Sequence, residues 1–242
     1  MRNKAIFLAT TAVALVSMSS PVNATGLYVS VFGGPNFQQD SSGVNFGTFV
    51  GSDASTTYAE SADTGFVLGA AVGARLDRWA NGLRSELEVS YRRNDVSGDW
   101  YHYTNDDGGS ATGTIGANTS TFAIMANIWY DFDVEWKAKP YIGAGAGWAR
   151  ARLDGAVAVT DSSFCCGYNG SETFSDEQSG FAWMLGAGVN YEVSPGVDVG
   201  IGYRFFRGPG FDPLFLGKNN QTAVEFDNDS QSVSVNVTIS IN

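Results

Sequence analysis

Oily and polar side chains trade places residue by residue along much of this chain. In residues 82–94, GLRSELEVSYRRN, one face carries Leu83, Leu87, Val89 and Tyr91. The other carries Arg84, Glu86, Glu88, Ser90 and Arg92. A period of two predicts a β-strand with two unlike faces. The same pattern returns in 26–34, 64–76, 120–132, 140–150, 180–192, 196–206 and 232–242, which makes eight strands. In 64–76, Phe66, Leu68 and Val72 oppose Gly65, Val67 and Gly69, with Arg75 ending the second face. In 120–132, Phe122, Ile124, Ile128 and Tyr130 oppose Thr121, Asn127 and Asp131. Leu185 and Val189 share a face of 180–192, and Val199 and Ile201 oppose Asp198 and Arg204 in 196–206. Val235 and Val237 oppose Ser234 and Asn236 in the last strand.

Strand length predicts the surroundings. These segments run about nine to thirteen residues, where strands of soluble domains cluster near five or six. A tilted strand needs ~9–11 residues to cross a bilayer. Tyr91, Phe122, Tyr130, Trp148, Phe181 and Tyr191 lie near the ends of the oily faces, where a membrane barrel carries its aromatic girdles. The joins 77–81, 133–139 and 193–195 are short, whereas 35–63, 94–119, 151–179 and 207–231 are long. The predicted fold is therefore all-β: an eight-stranded antiparallel up-and-down transmembrane β-barrel, with three short periplasmic turns and four long extracellular loops. Leu87, Val89, Ile124, Ile128, Leu185, Val199, Ile201, Val235 and Val237 are expected to face lipid. The opposite orientation, a soluble barrel with its oily face lining a ligand cavity, calls for shorter strands.

An eight-stranded barrel has an interior just wide enough for side chains to fill. The residues expected inside include Arg75, Arg84, Glu86, Glu88, Arg92, Asp131, Asp198 and Arg204. Both signs fall on adjacent strands, and charges withdrawn from water need such mutual satisfaction. Glu88 is expected to meet Arg75, Arg84 or Arg92. Such a network either plugs the barrel or, by exchanging partners, gates a narrow path.

The N-terminal stretch MRNKAIFLATTAVALVSMSSPVNA joins Arg2 and Lys4 to a mostly apolar run, and closes on Val22-Asn23-Ala24. That is the pattern of a cleaved secretory signal. It divides the chain into a signal peptide, 1–24, and a barrel domain, 25–242. The net charge of −11 argues against a nucleic-acid partner, because phosphates demand a basic surface. Two cysteines cannot make a disulfide scaffold in a chain of 242 residues.

The long joins hold most of the acids, with Asp53, Glu60, Asp99, Asp106, Asp107, Asp154, Asp176 and Glu177 among them. Arg152, Arg207 and Lys218 are the notable bases there. Acidic rims chiefly confer solvation, although carboxylates beside lipid phosphates also suit divalent cations. NDDGGS, 105–110, lacks the alternating ligands of a calcium loop and reads as a turn. Neither a metal site nor a cofactor is expected. Cys165-Cys166 has no neighbouring base or metal ligand, and Asn118 and Asn169 begin glycosylation-type triplets of a kind frequent by chance. A Ser–His–acid site would need His102, the one histidine, and no nucleophile elbow accompanies it.

ANIWYDF, KPYIGAGAGWARA and SGFAWMLGAGVNYEVSPGVDVGIGYRFF resemble the eight-stranded surface-antigen barrels of alphaproteobacteria. These lie within the wider OmpA-like, opacity-protein and P44/Msp2 grouping of outer-membrane proteins. The resemblance covers all eight strands, best over 120–206. It implies a bacterial outer-membrane location with loops outside and termini in the periplasm, and says little about biochemistry. Members commonly end in an aromatic residue, where this chain ends Ser240-Ile241-Asn242. Assembly would then rest on the strand pattern or on internal features.

The expected function is a structural and surface-interaction barrel that is not an enzyme, a monomer held in outer-membrane lipid and lipopolysaccharide. Its loops would meet an extracellular partner. A narrow, porin-like channel is the alternative class, and a lipid-modifying enzyme built on His102 is a third.

Overall fold

Alternating side chains pair into strands whose backbone groups all find partners only when the sheet closes on itself. The computed structural model describes residues 26–38, 54–62, 64–104, 110–160, 170–211, 214–216, 222–224 and 228–241. Its strands are β1 (Leu27–Gln38), β2 (Ala54–Ala62), β3 (Gly65–Arg75), β4 (Leu83–Thr104), β5 (Ser110–Asp131), β6 (Ala138–Thr160), β7 (Gly170–Ser194), β8 (Val197–Arg207), β9 (Leu214–Leu216), β10 (Thr222–Val224) and β11 (Asp229–Ile241). Eight of them close an antiparallel barrel in the order β1-β3-β4-β5-β6-β7-β8-β11, and β11 returns to β1. β2 prolongs the course of β3 along β4, with Ala62 opposite Val96 and Phe66 opposite Arg93. β9 and β10 form a separate small hairpin.

Side-chain exposure follows the period of two. Leu87 is 56% exposed and Glu88, one residue on, is 1% exposed. Ile124, Ile128, Leu185, Ile201 and Val235 are exposed on the outer wall, where Val89 also lies, and Val199 and Val237 point the same way half-buried.

The short turns gather at one end. Gly82 sits at φ +82° and donates its N–H to Asp77 Oδ1 at 3.2 Å, closing the turn between β3 and β4. Pro195-Gly196 joins β7 to β8 with Gly196 at φ +79°, a conformation that glycine adopts without strain.

At the other end the strands run well past the spans expected from hydropathy. β4 and β5 stay paired from Leu83↔Tyr130 to Tyr103↔Ser110, and β6 and β7 from Ala138↔Tyr191 to Val159↔Gly170. The spans 94–119 and 151–179 are therefore largely paired hairpin and not loop. Much of 35–63 and 207–231 is likewise strand. Beyond the level of Asn94 neither face meets a uniform surrounding, so the oily–polar contrast fades while Thr, Val and Tyr still favour extended backbone.

Candidate functional site

The inward-facing charges of β3, β4, β5 and β8 meet inside the barrel in stacked tiers. Nearest the turns, Arg84 grips Asp131 with two hydrogen bonds, Nε to Oδ2 at 2.7 Å and Nη2 to Oδ1 at 2.9 Å. Such a two-point grip is the strong form of an arginine–carboxylate pair. Nη1 of the same guanidinium donates to Glu86 Oε1 at 3.0 Å. Glu86 also accepts from the Tyr28 hydroxyl at 2.8 Å and from Trp129 Nε1 at 2.8 Å. Three donors therefore satisfy one carboxylate. Trp129 meets Tyr141 edge-on at 5.4 Å, so the tier is walled with rings.

One tier deeper, Glu88 Oε2 accepts from Arg204 Nη1 at 2.7 Å and from Asn127 Nδ2 at 2.8 Å. The Arg204 guanidinium lies over the Phe32 ring at 3.8 Å. This corrects the expected partner of Glu88, which is Arg204 and not Arg75, Arg84 or Arg92. Those three sit on Glu88's own strand or its neighbour, whereas β8 is on the opposite wall of the barrel. In so narrow a barrel, a carboxylate reaches across more readily than along a strand.

Arg92 occupies the next tier. It donates to Ser90 Oγ at 2.9 Å and stacks on Phe206 at 3.8 Å. Beyond it the described inward-facing residues make uncharged pairs: Asn36 donates to Asn94 at 2.6 Å, and Thr119 to Gln38 at 2.6 Å. At the turn end Arg75 and Asp198 form a half-exposed pair at 3.3 Å. They edge a cavity of about 210 Å³ that Arg84, Asp131, Lys139 and Glu192 also line.

Rings fill the interior beside the charges. Tyr28, Phe32, Trp129, Tyr141 and Phe206 are buried inside together with Met125 and Met184. Trp129 shares the parity of Asn127 and Asp131, so its phase was readable. Glycines on the same face leave the room: a Cβ on Gly73 would collide with the Tyr28 ring, and one on Gly143 with Trp129.

Outside the barrel wall, Arg150 pairs with Glu177 at 2.7 Å and Arg152 with Asp154 at 2.7 Å. The hydrogen bond from Arg152 holds the Asp154 carboxyl below the usual carboxylate range. Asn118 accepts from Arg93 at 2.8 Å on β5. His102 lies in β4, its backbone opposite Thr56 and Ala111. Its side chain is outside the described residues, as are the segment 1–25, residues 105–109, Cys165, Cys166, Asn169 and Asn242. Among the described residues no group of three or more His, Cys, Asp or Glu could hold a metal ion.

Comparisons with known proteins bear on the barrel as a whole. Over 113 residues the chain is 27% identical to the outer membrane protein PagN of Salmonella typhimurium, covering 46% of this chain and 44% of that one. The chain thus spans less than half the length of that curated relative. Among solved structures it is similar to Neisserial surface protein A, with a TM-score of 0.52 and 21% identity over 90% of this chain and 98% of that one. That likeness shows the fold. The family model described as outer membrane protein beta-barrel domain matches residues 6–238, and with nearly the whole chain inside it, this protein belongs to that family of bacterial outer-membrane barrels.

Proposed function

We propose that this protein is a structural and surface-interaction barrel of the outer membrane whose interior is closed by its own charge network. Residues 1–24 are its signal peptide and 25–242 its barrel. The turns and both termini face the periplasm, and the β4–β5 and β6–β7 hairpins project outside. The reading extends to the surface-antigen type of barrel that the strand motifs resemble. Its outer wall, with Leu87 and Ile128 among the exposed apolar side chains, is immersed in lipid and lipopolysaccharide, and it needs no catalytic residues or cofactor.

The observation that carries this reading is the bond from Arg204 to Glu88 at 2.7 Å, which spans the interior from wall to wall. The Arg84 tier lies beneath it and Arg92 above, so the charges stack along the axis. The paired hairpins continue some ten residues past Asn94, roughly 30 Å along the strand, which is reach enough for contact with a partner beyond the lipid surface. Purified protein in planar bilayers is expected to show no reproducible conductance steps. Steps altered by Glu86→Gln or Arg84→Ala would overturn the plugged reading.

One observation favours the channel reading. The turn-end cavity already reaches Arg84 and Asp131, so the Glu88–Arg204 pair and the Arg92 tier are all that separates it from the upper interior. Partner exchange in those tiers would open a narrow path, and the same bilayer recording distinguishes the two.

A further inference from the structure

The interior charges divide unequally along the barrel axis. Toward the turns, Arg75 and Arg84 face Glu86, Asp131 and Asp198. Toward the hairpins, the guanidiniums Arg92 and Arg204 share the interior Glu88 carboxylate, while the buried Asp229 is bound by Arg207. Arg204 takes Glu88 at 2.7 Å, and among the described residues no carboxylate stands within ion-pair distance of Arg92. Yet Arg92 is only 4% exposed. A buried cation without a counter-charge is among the costliest arrangements a protein can keep.

The groups around Arg92 share its need. Among the described residues its Nε has no acceptor, and neither do the buried donors Asn228 Nδ2 and Ser230 Oγ, while one acceptor of the tier below, Glu88 Oε1, is also without a partner. Thr121, in register with Arg92, donates to Asn228 Oδ1 at 3.2 Å and so ties the Asn228 amide to the Arg92 side of the interior. A Cβ on Gly208 would meet both Asn228 Nδ2 and Phe206 Cε1, which puts that amide at the edge of the ring Arg92 stacks on. Ser230 stands in register with the same Phe206. Guanidinium, amide and hydroxyl thus flank one ring, all three with donors to spare.

We propose that Arg92, Asn228 and Ser230 hold a small monovalent anion of the halide class in the hairpin-side half of the barrel. Such an ion only accepts, balances the excess guanidinium charge, and imposes no shape on donors from different strands. A water molecule would accept from two donors at most and leave the charge uncompensated. The site is independent of whether the barrel conducts, since it needs only occupancy.

Chloride linkage tests it. Folded protein recovered from outer membranes is unfolded in urea at constant ionic strength, with sodium chloride replaced stepwise by sodium gluconate. The unfolding equilibrium constant should fall toward tenfold for each tenfold rise in chloride above the dissociation constant, and gluconate should not substitute. Arg92→Met should abolish that dependence, while Arg150→Met, on the outer wall, should retain it. Because Arg92→Met can also impair folding, bromide-soaked crystals of the unaltered protein give an independent readout, an anomalous peak between Arg92 and Asn228. Equal behaviour in chloride and gluconate, equal dependence in Arg92→Met, or a water without anomalous signal at that position would overturn the proposal.

Discussion

Glu88 is the residue on which the interior turns. It is buried to 1% exposure and tied to Arg204 on the far wall. Glu88→Leu leaves Arg204 inside without its partner, at an expected cost of about 3–5 kcal/mol in urea unfolding, whereas changing both residues to apolar ones should restore much of the loss. If Glu88→Leu proves nearly harmless, solvent reaches the pair and the proposed plug does not hold. Leu87, its neighbour in sequence, tests the other face: Leu87→Arg should destabilise by about 2–4 kcal/mol and impair insertion into lipid vesicles. Gly143→Ala places a methyl group against Trp129 and should cost about 1–3 kcal/mol by overpacking, with loss of Trp129 near-UV dichroism as the sign that the ring has moved. The charged residues of these tiers could be named from parity alone. The glycine–aromatic matches could not, because Gly143 and Trp129 lie on different strands and meet only through the β5–β6 register.

At the scale of elements, the hairpins separate two kinds of strand. Up to the level of Asn94 the strands carry the contrast between wall and interior, and hydropathy reveals them. Beyond it only backbone pairing and β-branched residues remain, which is why 94–119 and 151–179 read as loops although their ladders continue to Tyr103↔Ser110 and Val159↔Gly170. Those outer ladders add nothing to closure of the barrel below. Replacing residues 156–173 by a two-residue Asn-Gly turn should therefore leave folding yield and the mobility difference between unboiled and boiled samples unchanged, while removing the partner contact proposed for the β6–β7 hairpin. Loss of folding on this shortening would show that the outer ladder is needed for assembly. The Arg150–Glu177 pair survives that change, so it serves as an internal control for register.

For the whole molecule, closure dominates. Each strand wall is bonded on both sides, so detergent finds no free edge from which to unzip the sheet. Protein extracted from membranes without boiling should migrate faster in a denaturing gel than the same sample boiled; identical mobility would contradict a closed barrel. The amino-acid sequence by itself determined the eight alternating segments and the gathering of charges on one face, because a period of two is a local property written in successive residues. It could not determine which charges meet. Glu88 and Arg204 are 116 positions apart and on opposite walls, and their bond exists only once the sheet has closed with its particular strand order. The same holds for Arg92, which among the described residues shares the one Glu88 carboxylate with Arg204 of another strand. Pairing across a closed interior depends on the stagger and curvature of all eight strands together, and these belong to the tertiary structure alone.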